Sequence, residues 1–136
     1  DLAAIARDVV ASMAPLAIRE GRAIAQEGSE SAMVRGDADA IAHALRNLIE
    51  NALRHTPPAT EVVVAVDARG SVEVRDAGPG IPDDQKALVV RRFWRGANAG
   101  GAGTGLGLSI AKRIMEAHRG ELRISDREGG GAVVSL

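Results

Sequence analysis

One stretch, from Asp37 to Thr56, constrains the fold more than any other part of this 136-residue chain. Its pattern predicts a single helix, with Asp37 as the N-cap and Pro57-Pro58 as the stop. At about 100° per residue, six apolar side chains collect on one side of that helix: Ile41, Leu45, Leu48, Ile49, Ala52 and Leu53. A stripe of this width predicts a helix packed against a core, so other elements must cover it.

The opposite side of the same helix carries polar residues: His43, Asn47, Glu50, Asn51, Arg54 and His55. A solvated helix face is usually built from Lys, Glu, Gln and Ala, whereas Asn is a poor helix former. Amide oxygens are weak metal ligands that leave most of the charge compensation to a phosphate, which suits Mg²⁺ held against a nucleotide. Taken alone, the segment still favours a solvated amphipathic helix, and only the rest of the chain reverses that reading.

The composition limits the functions open to the chain. Apolar residues make up 46% of it, which is enough for one core, and the length predicts one domain over residues 1–136. A net charge of −1 offers no basic surface for nucleic acid or for direct membrane contact, and the scarcity of aromatic residues disfavours base stacking. The lack of cysteine excludes disulfides and thiolate chemistry. Because the chain does not begin with Met, we expect a fragment or a processed product.

Three further segments show helical signals: residues 2–17 with a break at Pro15, residues 83–93 capped by Asp83, and residues 106–119. In the last of these we expect Ile110, Ile114 and Ala117 to face inward, with Gly120 as the left-handed stop. His118 is expected to be a structural residue at the helix end.

Strand signals appear in six segments: residues 22–26, 32–34, 61–67, 71–75, 121–126 and 132–136. Residues 95–105 are too poor in side chains to pack, so we expect that segment to be mobile. Together the elements predict an α/β (α+β) two-layer sandwich. It would consist of a mixed, mostly antiparallel sheet with about three helices over one face.

A second candidate site follows the strand at residues 71–75, where the sequence is Asp76-Ala77-Gly78-Pro79-Gly80-Ile81. An ionised Asp is only an acceptor, so it suits an exocyclic amine such as that of adenine. Glycines after it would let the backbone approach something flat. A plain turn is the alternative, because Asp-x-Gly is common after strands.

A third candidate site, residues 103–109, opens the last helix with the sequence Gly-Thr-Gly-Leu-Gly-Leu-Ser. A helix N-terminus offers unpaired N–H groups and a positive dipole end, and glycines let phosphate oxygens reach them. A flexible loop running into a helix is the alternative. No Lys follows the last glycine, which excludes the Gly-Lys-Ser/Thr phosphate loop. The loop follows a segment expected to be mobile rather than a strand, so a dinucleotide fingerprint is also disfavoured.

Four stretches together resemble the sequence boxes of the catalytic ATP-binding domain of sensor histidine kinases. NLIENALRHT (47–56) is similar to the asparagine box, and VRDAGPGIP (74–82) is similar to the first glycine box. RRFWRG (91–96) is similar to the phenylalanine box, and GTGLGLSIAKRIMEAHRGEL (103–122) is similar to the second glycine box. Their order and spacing match the family from about Asp37 to the C-terminus. The first 36 residues are similar to the opening helix and strand of that domain. The resemblance implies the Bergerat fold shared with gyrase, Hsp90 and mismatch-repair ATPases.

The resemblance also implies ATP and Mg²⁺ as ligands. Asn51 would coordinate Mg²⁺ with support from Asn47, and Arg54 and His55 would reach the phosphates or the ribose. Asp76 would accept a hydrogen bond from the adenine amino group. The remaining ATP contacts that the resemblance implies are Gly78, Gly80, Ile81, Arg95, Gly103, Thr104, Gly105, Leu106, Gly107 and Leu108. Phe93 and Trp94 would anchor the start of a lid.

Two residues on the polar helix face would take part in catalysis. Gyrase-type relatives carry a water-activating Glu one turn before the metal-binding Asn, and this chain has Asn47 there. Efficient ATP hydrolysis is therefore not expected. Glu50 is a candidate for ordering a proton acceptor or the waters of the metal, and a solvated Glu is an equally open reading. Ala132-Val133 stands where many relatives carry Ser or Thr near the adenine.

The implied activity is transfer of the γ-phosphate of ATP to a histidine on the kinase's separate dimerisation domain, and from there to a response regulator. The chain has no His-Glu acceptor motif, so it resembles the catalytic domain alone. We expect a monomeric cytoplasmic domain whose parent protein is anchored in the bacterial inner membrane. An anti-sigma-type serine kinase, a nucleotide-sensing binding module and a conformational ATPase like gyrase or Hsp90 are the alternatives on the same fold.

Overall fold

The computed structural model of the protein describes residues 1–94 and 105–136. Those residues contain four helices: α1 (Leu2–Arg19), α2 (Ala38–His55), α3 (Asp83–Lys86) and α4 (Gly107–Ala117). They also contain five strands: β1 (Ala23–Gly28), β2 (Glu61–Asp67), β3 (Ser71–Arg75), β4 (Arg123–Asp126) and β5 (Ala132–Ser135).

The five strands form one sheet in the order β1-β2-β3-β5-β4. Strand β1 runs parallel to β2, and every other neighbouring pair is antiparallel. Helices α1 and α2 pack on one face of the sheet, and α4 packs along α2. The buried side chains of alternate strand positions, such as Val62, Val64 and Val74, meet these helices in one core. The predicted two-layer sandwich with a mixed, mostly antiparallel sheet is therefore confirmed.

Helix α2 forms where the sequence predicts it. The Asp37 carboxylate accepts a hydrogen bond from the Ala40 N–H at 2.8 Å and so caps the first turn. The helix ends at His55, one residue before the buried Thr56, whose N–H still donates to the Ala52 carbonyl. All six apolar residues predicted to face the core are buried. Fully burying a Leu or Ile side chain contributes about 1.5–3 kcal/mol, so this face anchors the helical layer to the sheet.

The predicted break at Pro15 is wrong, because α1 continues through it to Arg19. Proline removes one N–H and strains the turn before it. Here Pro15 lies on the exposed side of the helix, and so does Ala11, whose carbonyl has lost its intrahelical donor. Met13 and Ala17 flank Pro15 and are buried in the core. Their packing outweighs the local cost of the proline.

The predicted strand at residues 32–34 is also wrong. The Ala32 N–H donates to the Asp1 carboxylate at 3.1 Å, and the Ala32 carbonyl accepts from the Leu2 N–H at 2.8 Å. These backbone groups therefore form hydrogen bonds with the start of α1 rather than with a neighbouring strand. Strand β1 instead extends to Gly28, two residues past the predicted end at residue 26, because its pairing with β2 continues that far.

The helix predicted over residues 83–93 is much shorter, since α3 ends at Lys86. Its N-cap is Pro82 rather than Asp83, whose carboxylate forms an ion pair with Lys86. The chain then continues in turns to Phe93, which has a positive φ of 61°.

Helix α4 differs from its prediction in two respects. The left-handed residue at its end is Arg119, with φ of 57°, and not Gly120. The Gly120 N–H donates to the Met115 carbonyl at 2.8 Å, and this closure needs a left-handed residue immediately before Gly120. Ala117 is exposed rather than inward. The buried apolar side of α4 is formed by Leu108, Ala111 and Met115, with Ile110 and Ile114 partly buried.

Candidate functional site

The first turn of α4 lies against the polar face of α2 at Asn47. A Cβ atom placed on Gly107 would be 3.4 Å from Asn47 Oδ1 and 3.6 Å from the Asn47 carbonyl oxygen, so the two backbones approach closely. Asn47 Nδ2 donates to the His43 carbonyl at 2.9 Å. This bond turns the amide so that its oxygen faces the start of α4. Asn51 is half-buried one turn further along, and its side chain makes no hydrogen bond with any described residue.

The N-terminus of α4 has no side-chain cap among the described residues. Ser109 could have supplied one, but it is buried and its Oγ donates back to the Leu106 carbonyl at 2.8 Å. The first N–H groups of α4 therefore have no side-chain acceptor among the described residues, and together with the positive end of the helix dipole they suit an anion. Leu108 is buried in the core, so any contact it makes with a ligand must come from its backbone.

The chain segments on either side of residues 95–104 meet beside this helix. Gly105 has a φ of 68°, and a Cβ atom on it would be 2.8 Å from the Trp94 carbonyl oxygen. The Phe93 N–H donates to the Gly105 carbonyl at 3.0 Å. Phe93 and Trp94 of the phenylalanine box thus contact Gly105 of the second glycine box. The predicted contacts at Arg95, Gly103 and Thr104, and most of the segment predicted to be mobile, lie outside the described residues.

Asp76 is the most buried carboxylate of the site, with 6% exposure. Its Oδ1 accepts hydrogen bonds from the Gly78 N–H at 2.8 Å and from the Ala132 N–H at 3.1 Å. Its own N–H donates to the Ala132 carbonyl at 2.9 Å. Within residues 1–94 and 105–136, Oδ2 has no hydrogen-bond partner. One oxygen thus fixes the side chain, and the other remains an acceptor.

The loop after Asp76 packs between α2 and the turn that joins β4 to β5. A Cβ atom on Gly78 would be only 2.6 Å from the His55 carbonyl oxygen, so a side chain cannot fit there without a shift. Gly80 has a positive φ of 76° and faces the Gly131 carbonyl. Ile81 packs on the edge of the core. This loop is therefore held against the C-terminal end of α2.

Arg54 and His55 lie in the last turn of α2, next to that loop. Surrounding protein atoms partly desolvate the imidazole and lower the pKa of His55. The charge of Arg54 lowers it further, whereas Asp76 acts in the opposite direction. His55 is therefore neutral at pH 7, and Arg54 carries the positive charge at this end of the helix.

The polar face of α2 connects the two loops. Asn47 contacts the start of α4 and His55 contacts the Asp76 loop, and eight residues of helix span about 12 Å. An elongated ligand with an amine at one end and an anion at the other would match the carboxylate of buried Asp76 and the N–H groups at the start of α4, which no described side chain caps. Asn51 lies between these ends, and Glu50 is exposed beside it.

Comparison with known proteins identifies the family. The sequence model of the family described as histidine kinase-, DNA gyrase B-, and HSP90-like ATPase matches residues 36–136. The chain belongs to this ATPase family. Among curated relatives, the signal transduction histidine-protein kinase/phosphatase MprB of Mycolicibacterium vanbaalenii is 43% identical over 103 residues, covering 72% of this chain and 21% of the relative. The sensor protein SphS of Synechococcus elongatus is 36% identical over 139 residues, covering 93% of this chain and 33% of the relative.

Solved structures of histidine kinases share the fold of this ATPase-family domain. The mycobacterial sensor histidine kinase MprB superposes with a TM-score of 0.80 at 27% identity, covering 95% of this chain and 90% of that one. Full-length ShkA in complex with AMPPNP superposes with a TM-score of 0.85 at 28% identity, covering 99% of this chain and 29% of that one. The chain spans about a fifth to a third of the length of the two curated relatives.

The donor set of this ATPase-family site fits Mg²⁺ only in company with a phosphate ligand. No cluster of three His, Cys, Asp or Glu residues able to hold a metal occurs in the part of the chain that the structure describes. The amide oxygens of Asn47 and Asn51 are neutral, so the negative charge that Mg²⁺ requires must come from its other ligands. This matches a metal that arrives with a nucleotide.

Two residues that the sequence analysis did not predict contact the backbone carbonyl of Asp76. Arg127 Nη1 donates to the Asp76 carbonyl at 3.0 Å, and Gly131 packs against the same carbonyl. Both lie more than fifty residues further along the chain, on the turn between β4 and β5. The run of glycines at 129–131 was the available signal for a close backbone approach.

A shallow depression of about 580 Å³ lies between the end of α1 and the start of β1 and β2. None of the predicted site residues lines it, and we assign no role to it. Among the described helices, none combines the length and apolarity needed to cross a bilayer.

Proposed function

We propose that this chain is the catalytic domain of a sensor histidine kinase, which binds ATP·Mg²⁺ along α2 and presents the γ-phosphate to a histidine on a separate dimerisation domain. The observation that carries the proposal is that α2 borders both Asp76, a buried carboxylate with one oxygen that no described residue bonds, and the N-terminus of α4, which no described side chain caps. That polarity matches a nucleoside triphosphate, which carries a base at one end and negative charge at the other.

At the base end, Asp76 accepts a hydrogen bond from the adenine amino group. Its Oδ1 already accepts two backbone N–H groups, so the side chain cannot rotate away from the base. Gly80 and Gly78 keep the loop free of side chains where the base lies against it. The AMPPNP bound in the structurally similar ShkA supports a nucleotide as the ligand of this fold.

At the phosphate end, the free N–H groups of the first turn of α4 bind the phosphate oxygens, with Gly105 and Gly107 allowing close approach. Asn51 and Asn47 would hold Mg²⁺, which would neutralise charge on the phosphates. Arg54 supplies a positive charge for the phosphates or the ribose. Phosphoryl transfer depends mainly on positioning and charge stabilisation, and these groups provide both.

The site also explains why the phosphate would be kept for the partner histidine rather than given to water. Asn47 occupies the position of the water-activating Glu of gyrase-type relatives, and an amide cannot take a proton from water. Its Nδ2 is committed to the His43 carbonyl. Glu50 is exposed beside Asn51, and its carboxylate is our candidate for the group that orients the incoming imidazole by accepting a hydrogen bond from its N–H.

The partners follow from the same proposal. The acceptor is the parent protein's own dimerisation and histidine-phosphotransfer domain, and a response regulator receives the phosphate next. The catalytic domain works in the cytoplasm, and the parent protein is anchored in the bacterial inner membrane. The isolated domain is a monomer, and it binds neither nucleic acid nor the membrane surface.

Calorimetric titration with a non-hydrolysable ATP analogue, with and without Mg²⁺, tests the binding step. The wild type should bind, and Asn51→Ala should weaken binding at least about tenfold, since it removes a ligand of the metal. Arg69→Ala is the matched control, because Arg69 is exposed on the turn between β2 and β3, at the opposite end of the sheet. If the wild type does not bind the analogue, the proposal is wrong.

Labelled ATP and the parent's dimerisation domain, supplied in trans, test the transfer step. Acid-labile, base-stable label on that domain identifies phosphohistidine and supports the proposal. Acid-stable label would identify a serine kinase instead. Rapid release of inorganic phosphate without a labelled protein would identify a conformational ATPase.

A further inference from the structure

We propose that Arg127 is a positioning residue that sets the place of Asp76 and, through it, the preference for adenine over guanine. The inference rests on the proposed function, because it assigns Asp76 to the base. Arg127 lies on the turn between β4 and β5 and does not belong to any of the four sequence boxes.

The first argument is the number of bonds between this turn and Asp76. Arg127 Nη1 donates to the Asp76 carbonyl at 3.0 Å. Ala132 exchanges two hydrogen bonds with Asp76, donating its N–H to Oδ1 and accepting from the Asp76 N–H. Both main-chain polar groups of Asp76 and one carboxylate oxygen are therefore held by residues 127–132.

The second argument is that the turn is itself rigid enough to act as a reference. The Arg127 N–H donates to the Gly131 carbonyl at 3.0 Å, and the Arg127 carbonyl accepts from the Gly130 N–H at 3.1 Å. Gly131 has a φ of 104°, and any side chain on it would collide with the Asp76 carbonyl oxygen. The Arg127 guanidinium thus extends from a hydrogen-bonded turn, and that turn packs directly on the backbone of Asp76.

The third argument is that the same turn also holds the chain beyond the loop. Asp126, next to Arg127, forms an ion pair with Lys86 on α3 at 2.9 Å. The loop of residues 76–82 is therefore attached to β4 and its turn at both ends, through Asp76 at its start and through Lys86 just after its end.

Base discrimination depends on this placement. Adenine presents an amino donor where guanine presents a carbonyl acceptor, so the free Oδ2 of Asp76 attracts one base and repels the other. Hydrogen bonds weaken steeply with distance and angle, so a small backbone shift at Asp76 reduces both effects. The phosphate end of the site is formed by α2 and α4, which the turn at 127–131 does not build. Loss of Arg127 should therefore change base preference more than triphosphate binding.

The test compares the dissociation constants of non-hydrolysable ATP and GTP analogues by calorimetry. Arg127→Ala should weaken binding of the ATP analogue about fivefold to tenfold and change binding of the GTP analogue less than about twofold, because a displaced Asp76 would keep only part of its charge-assisted hydrogen bond to the adenine amine. Arg127→Lys keeps a charged donor and should restore most of the preference. Arg123→Ala is the control, because Arg123 is exposed on β4 and pairs with Glu121.

Equal weakening of both analogues in Arg127→Ala, or no change in either, would overturn the inference while leaving ATP binding intact. Failure of the wild type to bind the ATP analogue would instead remove the proposed function, and the inference would fall with it. Thermal unfolding of each variant, followed by circular dichroism, separates lost folding from a lost contact.

Discussion

Replacing Asp76 by Asn probes the base end of the site with almost no change in shape. The Asn oxygen can still accept the Gly78 and Ala132 N–H groups that Oδ1 accepts at 2.8 and 3.1 Å. The NH₂ group then takes the place of the free Oδ2. Asp76→Asn therefore turns the acceptor that faces the base into a donor and leaves the anchoring bonds in place.

The magnitude follows from the burial of this residue, which is only 6% exposed. A hydrogen bond to a charged group contributes about 1.5–3 kcal/mol, and a buried donor left without a partner costs about 1–3 kcal/mol. Their sum of about 2.5–6 kcal/mol corresponds to a loss of about 10²- to 10⁴-fold in affinity for an ATP analogue. A guanine carbonyl can accept from the new amide, so the relative affinity for a GTP analogue should rise.

Isothermal titration with both analogues measures the two effects, and Asp84→Asn, which neutralises an exposed carboxylate on α3, controls for lost charge. Thermal unfolding of Asp76→Asn should stay close to that of the wild type, because the anchoring bonds persist. The reasoning is refuted if the folded variant binds the ATP analogue within about threefold of the wild type, since a loss of at least about 2.5 kcal/mol is expected.

Three further predictions concern stability, each measured by urea unfolding. The lowered pKa of His55 means that the stability contributed by its neutral ring is present above its ordinary value of 6.5 and is lost as pH falls through the lowered value. His55→Gln should therefore lose less stability than the wild type over that range, and parallel pH profiles would contradict this. Gly78→Ala should lower the free energy of unfolding by about 1–3 kcal/mol through overpacking, whereas Gly120→Ala should change it by no more than about 0.5 kcal/mol. Equal effects of the two substitutions would show that the contact of Gly78 with His55 is not tight. His118 Nε2 accepts a hydrogen bond from the Asp37 N–H at 3.0 Å, so His118→Ala should lower the free energy of unfolding by about 1 kcal/mol. An unchanged urea midpoint would show that this hydrogen bond between the end of α4 and the start of α2 does not stabilise the fold.

The elements predicted best are those specified by local patterns. Helix α2 has a capping Asp, an apolar stripe and a proline stop within twenty residues, and its bounds agree with the prediction within one residue. Strands β2 and β3 agree at every position, because β-branched alternation and a tight turn are also local signals. Such signals do not depend on where distant residues lie.

The errors occur where distant contacts outweigh local patterns. Pro15 stays inside α1 because buried neighbours hold the helix, and residues 32–34 form no strand because Asp1 and Leu2 take their backbone bonds. In both cases the deciding contacts involve residues outside the window that a local pattern covers. The end of α4 is an exception, because Arg119 rather than Gly120 becomes left-handed for a local reason, the closure from the Gly120 N–H to the Met115 carbonyl.

The candidate site divides along the same line. The amino-acid sequence alone determined the residue types: amides at 47 and 51, an acid at 76 and glycines before α4, because donors, acceptors and missing side chains are properties of the residues themselves. Only the tertiary structure decided that Gly78 meets the end of α2 and Gly107 meets Asn47, and that Arg127 holds the carbonyl of Asp76. Those contacts join residues up to sixty positions apart, and their geometry depends on how the sheet and helices pack together.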